Sequence, residues 1–187
     1  MTYPTEPRIA PLPEKEWTEE LRPILAADRD EAPRLGEMNI FTTLARHPDL
    51  LKNWMRFAGY ILVAGKLSFR DRELLILRTG YNCDSPYEWG QHVRIALAGG
   101  IEREVIERVP EGPDAPGWDQ QERTLLRAAD ELHSDFRVSD ATWAALSERL
   151  DEQQLIEVPM LVGQYHLVAF TLNSLAVQPE PGLEPLP

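Results

Sequence analysis

An all-α fold is predicted for this chain of 187 residues. Three observations carry the prediction. Apolar residues recur at helical spacing through nearly the whole interior of the chain. No alternating pattern of useful β length appears. The proline- and glycine-rich stretches fall between the periodic runs or at the two ends. The length suits one domain, residues 1–187, with chain enough for a core, and a bundle of about eight or nine helices is expected.

The elements follow in order. Residues 1–13 carry Pro4, Pro7, Pro11 and Pro13, and residues 178–187 carry Pro179, Pro181, Pro185 and Pro187. Proline at that density removes donors and blocks helix. Both ends should be extended, either disordered or draped over a neighbouring subunit. Residues 14–27 have Trp17, Leu21, Ile24 and Leu25 at helical spacing, with Pro23 as a possible break. Asn39 is placed to cap a helix to about Arg46, where the domain core (residues 39–175) begins. A second helix spans residues 49–63 after Pro48. Ser68 caps the next, which runs through Leu74, Leu75, Ile76 and Leu77. Residues 85–88, Ser-Pro-Tyr-Glu, have the form of a capping box that starts another helix, which Gly99 ends. RVPEGPDAPGW, residues 108–118, reads as an ordered loop. Helices over 119–136, 139–150 and 151–175 follow, with Pro159 expected to kink or split the last.

Charge and cysteine content exclude several functions. A formal charge of −12 leaves no basic footprint for nucleic acid or an anionic membrane surface. A single cysteine rules out an intrachain disulfide and a zinc site built from two thiolates within one chain. A cytoplasmic protein fits best, and the first residues lack the basic and apolar regions of a signal peptide. Residues 158–177 contain no Asp, Glu, Lys or Arg, but Gly163, Gln164, His166 and Asn173 interrupt them. A buried helix of an oligomeric protein is expected there, not a membrane span.

The segment LSFRDRELLILRTGYNCDSPYEWGQH, residues 67–92, concentrates the candidate chemistry. It sets Glu73, Cys83, Glu88 and His92 on or between two consecutive helices. Glu88 and His92 are four residues apart and share a face. In an antiparallel pair, Glu73 and His92 stand at similar heights about the turn, given about 1.5 Å rise per residue. Each residue also has a plain structural reading. Glu73 would be a solvated acid paired with Arg70 or Arg72. Glu88 and Ser85 would only start a helix. His92 would be a core histidine, an acid/base or a metal ligand. The metal reading lacks a second histidine close in sequence, and a Cys/Glu/His mixture is uncommon, so no metal is expected. Cys83 would be a small buried apolar group or a thiolate favoured by the following helix, which Asp84 opposes. Trp89, Val93 and Leu97 look like core. Tyr165, His166 and Asn173 lie on the apolar last helix and read first as satisfied core or interface polar groups, with an inner cavity lining as the alternative; His47 reads as loop and His133 as a solvated helix end.

The RDRELLILR helix followed by YEWGQH resembles the carboxymuconolactone decarboxylase-like family, which includes the alkyl hydroperoxidase D-like proteins. MNIFTTLARHPDLLKNWMRFAGYIL, LLRAADELHSDFRVSDATW and MLVGQYHLVAFTLNS extend the resemblance over about residues 39–175. It implies an all-α oligomer: dimer, trimer or hexamer. In the redox branch of that family a glutamate precedes a Cys-x-x-Cys-x-x-x-His pattern. Counting back from His92, Glu88 and Ser85 hold the two cysteine places, and Glu73 holds the glutamate place. Both redox thiols are therefore missing, and the chain looks closer to the decarboxylase-like branch, which works without metal or organic cofactor. The resemblance implies lyase-type acid/base chemistry on a small organic acid or lactone. His92 would be the proton carrier, Glu73 its partner, Glu88 the residue orienting the imidazole, and Ser85, Tyr87, Trp89 and His166 the substrate contacts. A single-thiol peroxide reductase using Cys83 and a non-enzymatic binding or scaffold protein are the alternatives.

The uncharged last helix offers more apolar surface than a small acidic monomer should expose. Light scattering at micromolar concentration is expected to give a multiple of the 21.3 kDa chain mass; the single-chain mass would refute the homo-oligomer.

Overall fold

Helix α4 (Phe69–Asn82) runs through the centre of the molecule. The structure, a computed structural model, describes residues 3–28 and 33–187. Among the described residues are nine α-helices and no strand. The others are α1 (Arg22–Leu25), α2 (Asn39–Leu44), α3 (Pro48–Gly59), α5 (Pro86–Ala98), α6 (Arg103–Arg108), α7 (Gln120–Ser134), α8 (Asp140–Ser147) and α9 (Glu152–Leu175). Helices α5, α7 and α9 surround α4. That arrangement follows from the sequence of α4: Leu74, Leu75, Ile76 and Leu77 are consecutive and all buried. A helix apolar all round has to lie inside.

The four leucine and isoleucine side chains divide two cores between them. Leu75 and Ile76 pack with Leu125 and Ala128 of α7 and with Val158, Leu161 and Val162 of α9. Leu74 and Leu77 pack with Trp89 and Val93 of α5, Ile106 of α6 and Trp118. The helix starts are capped by side chains. Ser68 accepts from the Asp71 N–H, Asp119 from Glu122, Ser139 from Thr142 and Asp151 from Gln154. Glu157 of α9 accepts from the backbone N–H groups of Lys66 (2.6 Å) and Leu67 (3.0 Å), which ties the turn before α4 to α9.

Several expectations are corrected. Residues 14–27 do not form one helix: a 3-10 turn at Glu14–Glu16 and the short α1 replace it, with Pro23 in the first turn of α1. Part of the stretch that follows, residues 29–32, lies outside the described residues. Met38 occupies the cap position of α2, and Asn39 is inside the helix, its amide donating to the Gln178 carbonyl at 2.9 Å. Helix α3 passes into a π-helical turn at Tyr60–Ala64. Helix α6 was not expected, and α9 continues unbroken through Pro159. The capping box at α5 is not made: Ser85 has the cap position but its hydroxyl accepts nothing, and the buried Glu88 carboxylate bonds no backbone N–H.

The extended ends lie on their own chain. The Arg8 N–H donates to the Leu175 carbonyl, Tyr3 Oη to the Val177 carbonyl, and the Leu12 N–H to the Thr42 carbonyl. Glu180 accepts from the Asn39 N–H at 2.6 Å and from Tyr87 Oη at 2.8 Å, and Gln91 also donates to it. Leu183 and Glu184 cross α5 over Gly90, where any Cβ would meet them at 2.9 Å.

By length and composition α9 is apolar enough to cross a membrane, with a mean hydropathy of 1.4, yet 56% of that window is buried inside the protein. Leu161 is fully buried at its centre. Leu161→Ala is expected to lower stability by about 2–5 kcal/mol. Urea unfolding checks this; a loss below about 1 kcal/mol would contradict the central packing of α9.

Candidate active site

Glu73 and His92 meet across the α4–α5 pair. His92 Nδ1 lies 2.8 Å from Glu73 Oε2, and Arg72 Nε donates to Glu73 Oε1 at 3.1 Å. Glu73 is fully buried and His92 nearly so. Burial raises the pKa of Glu73, but His92 and Arg72 outweigh it and hold this carboxyl below its ordinary value. Glu73 is thus a carboxylate. It takes the Nδ1 proton of His92 as its hydrogen bond, which leaves Nε2 as the ring nitrogen with a lone pair. The Tyr165 ring meets the imidazole edge to face, with centroids 4.9 Å apart.

Glu88 lies on the same cavity wall but in the opposite electrostatic condition. It is buried, and neither carboxylate oxygen has a hydrogen-bond partner. It packs against Gly80 of α4, where a Cβ would stand 3.2 Å from Glu88 Oε1. Burial without compensation pushes its pKa well above the ordinary carboxyl value. Burial thus biases Glu88 toward its protonated, proton-donating form, one helical turn from His92 on α5. The expected orientation of His92 by Glu88 is corrected: Glu73 holds the imidazole.

His92 and Glu88 open on a cavity of about 390 Å³; Glu73 lies behind His92 and does not line it. Glu88, His92, Tyr87, Gln91, Gln164 and Tyr165 supply its polar or aromatic edge, and α2, α3 and the π-helical turn supply an apolar wall that includes Ile40, Trp54, Met55 and Leu62. No lysine or arginine is among the described residues that line it.

Of the residues expected to contact substrate, only Tyr87 lines this cavity. Ser85 is buried with its hydroxyl unpartnered, and Trp89 belongs to the apolar core with Leu74 and Leu77. His166 faces away, toward His133 and Cys83. Asn173 donates to the Cys83 carbonyl at 2.9 Å, and His47 caps α3. Arg70 pairs with Glu102 and Glu122, not with Glu73. Gln91 and Gln164 were missed. The available signal was a Gly-Gln step in both GQH and GQYH, Gly90-Gln91 and Gly163-Gln164. Burial and the nearby Glu88 push the Cys83 thiol up to about 12, so it is a slow nucleophile at neutral pH.

The helix order is that of an all-α, alkyl hydroperoxidase D-like fold, with the acid–imidazole pair at its centre. Residues 48–131 match the model of the carboxymuconolactone decarboxylase family. Among similar solved structures is an uncharacterized peroxidase-related protein from Silicibacter sp. TM1040, with a TM-score of 0.79 at 16% identity over 98% of this chain and 97% of that one. The debrominase Bmp8 in complex with 2,3,4-tribromopyrrole gives 0.76 at 14% identity over 95% and 94%. An uncharacterized peroxidase-related protein with an alkylhydroperoxidase AhpD core, from Ralstonia eutropha JMP134, gives 0.73 at 20% identity over 96% and 92%. At these identities the likeness is one of fold. No curated protein matches the chain.

The condition of Glu88 has a measurable sign. Its folded pKa lies above the ordinary value of 4.5, so above that pH the unfolded chain loses this proton while the folded protein keeps it. Folding stability from this group then falls as pH rises, by at most about 1.4 kcal/mol per pH unit. Glu88→Gln should gain stability relative to the parent between pH 5 and pH 8, by roughly that slope at most. Urea midpoints measured across that range check it; parallel curves would mean that Glu88 is ionised in the fold.

Proposed function

We propose that the protein performs cofactor-free acid/base chemistry on a small lactone or related carbonyl compound. The observation that carries this reading is the pairing of a base and a neutral acid on one cavity wall: His92, held by Glu73 at 2.8 Å, and the unpartnered, buried Glu88. His92 Nε2 takes a proton from the carbon beside the substrate carbonyl. Glu88 donates its proton toward the carbonyl oxygen as the enol forms, which keeps charge from building up in an apolar cavity. As His92 returns its proton to a carbon, the enol O–H proton goes back to Glu88 and the carbonyl re-forms, which completes an isomerisation. In a decarboxylation the electron pair of the broken C–CO2 bond forms the enol as Glu88 protonates the oxygen; His92 then delivers to the carbon a proton drawn from solvent, and the enol proton goes back to Glu88. The carboxylate of Glu73 stabilises the imidazolium between the two transfers.

The lining narrows the substrate. With no cationic side chain among the described lining residues, a polyanionic acid finds little compensation there, whereas a lactone or ketone with an apolar body fits the Trp54, Met55 and Leu62 wall. A peroxide-reducing role for Cys83 is less favoured, since its thiol is pushed up to about 12. Homo-oligomer formation belongs to the same proposal. Ile156, Met160, Leu167 and Phe170 are exposed along one side of α9, with Phe57 of α3 also exposed. A second copy is the partner proposed for them.

Proton exchange in D2O, followed by NMR on a panel of small lactones and ketones, tests the chemistry. Wild-type protein should label the carbon beside the carbonyl. His92→Ala should lose that rate by about 10²-fold or more while keeping the helical circular dichroism spectrum. Glu88→Gln should retain binding but slow the exchange. Full activity in His92→Ala would reject the assignment.

A further inference from the structure

We propose that Cys83, His133 and His166 bind a zinc-class divalent metal ion at a site separate from the Glu73–His92 cavity. Three helices deliver the ligands. Cys83 caps the C-terminus of α4, His133 lies in the last turn of α7, and His166 lies within α9. Cys83 Sγ is 3.9 Å from His133 Nδ1, and that nitrogen is 3.0 Å from His166 Nε2. All three donor atoms lie within 4.8 Å of one another. A tetrahedral zinc ion, with bonds of about 2.0–2.1 Å to nitrogen and about 2.3 Å to sulfur, holds its ligand atoms roughly 3.3–3.6 Å apart. The two shorter edges of the cluster bracket that spacing. Rotation of the exposed His133 side chain adjusts them.

The second layer is also in place. His166 Nδ1–H donates to the Val162 carbonyl at 2.8 Å. That bond assigns the proton to Nδ1 and turns the Nε2 lone pair toward the cluster, as in imidazoles that ligate metals through Nε2. His133 Nδ1 stands between His166 Nε2 and Cys83 Sγ. A cation would serve all three donors at once. One thiolate and two imidazoles suit zinc and disfavour magnesium and calcium, which take oxygen ligands. His133 is exposed, so the cluster opens to solvent, which supplies the entry path and a water for the fourth position. Coordination replaces the thiol proton, which leaves to solvent; the S–H bond breaks, the metal–sulfur bond forms, and no electron is transferred. The sequence separations, 83 to 133 to 166, hid the set from any spacing motif.

The ion would join the end of α4 to α7 and α9, behind the helix that carries Tyr165. The test uses the whole chain, stripped with a chelator and titrated with Co²⁺ and then Zn²⁺. The expected result is one high-affinity ion per chain. The cobalt form should show a thiolate charge-transfer band and visible bands of tetrahedral intensity. Cys83→Ser should remove the thiolate band. His133→Gln, at an exposed position that leaves the fold intact by circular dichroism, should weaken Zn²⁺ at least about tenfold, and His166→Gln likewise. His47→Gln should bind as the parent does. A cobalt spectrum without a thiolate band, or equal Zn²⁺ affinity in parent and His133→Gln, would overturn the proposal and assign any bound ion to surface carboxylates.

Discussion

A carboxylate at the centre of α4 is the constraint around which this molecule is arranged. Glu73 is fully buried in a helix whose next four residues are all apolar core. An ionised carboxylate removed from water costs several kcal/mol unless charge partners and hydrogen bonds replace its hydration. Arg72 supplies one partner from the same helix, and His92 supplies the other from α5. The bond to His92 requires α5 to pack closely alongside α4. Gly80 allows that approach, since a side chain there would meet Glu88. The register of the helix pair and the orientation of the imidazole are thus one fact. Removing either partner would leave a buried charge uncompensated, at a cost of about 3–5 kcal/mol.

The same packing creates two acids of opposite character from one residue type. Glu73 has a guanidinium and an imidazole, which hold its carboxyl below the ordinary value; Glu88 has neither, and burial raises its own. Both belong to the same helix pair. The separation of their proton affinities comes from partners and not from distance along the chain.

Helix α9 serves two places with consecutive residues. Tyr165 turns to His92, and His166 turns to His133 and Cys83. A helix rotates about 100° per residue, so neighbours in sequence face different surroundings. The C-terminal segment adds a further tie. Glu180 collects donors from α2 and α5, including Tyr87 at the cavity edge, so the end of the chain helps to fix the cavity wall.

The α-class, the central apolar run of α4, the caps Ser68 and Ser139, and the Glu73–Glu88–His92 set were legible in the sequence. Periodicity, cap chemistry and i, i+4 spacing are local properties, and helix pairs joined by short turns extend them across a turn. The failures share a physical origin. The Ser-Pro-Tyr-Glu start of α5 has the form of a capping box, but tertiary packing drew Glu88 inward and the local bond was not made. Nothing local tells whether His166 faces a cavity or a neighbouring helix, or that His133 meets it; which way each faces depends on how α7 and α9 rotate against α4. The extended ends were legible as extended, but their docking on their own chain was not, because a proline-rich segment carries no periodicity to show what it packs on. The sequence by itself determined which residues are helical and which chemistry is available. Only the tertiary structure decided which acid is ionised, which is neutral and which side chains share a cavity, because burial and charge pairing arise between helices distant in the chain.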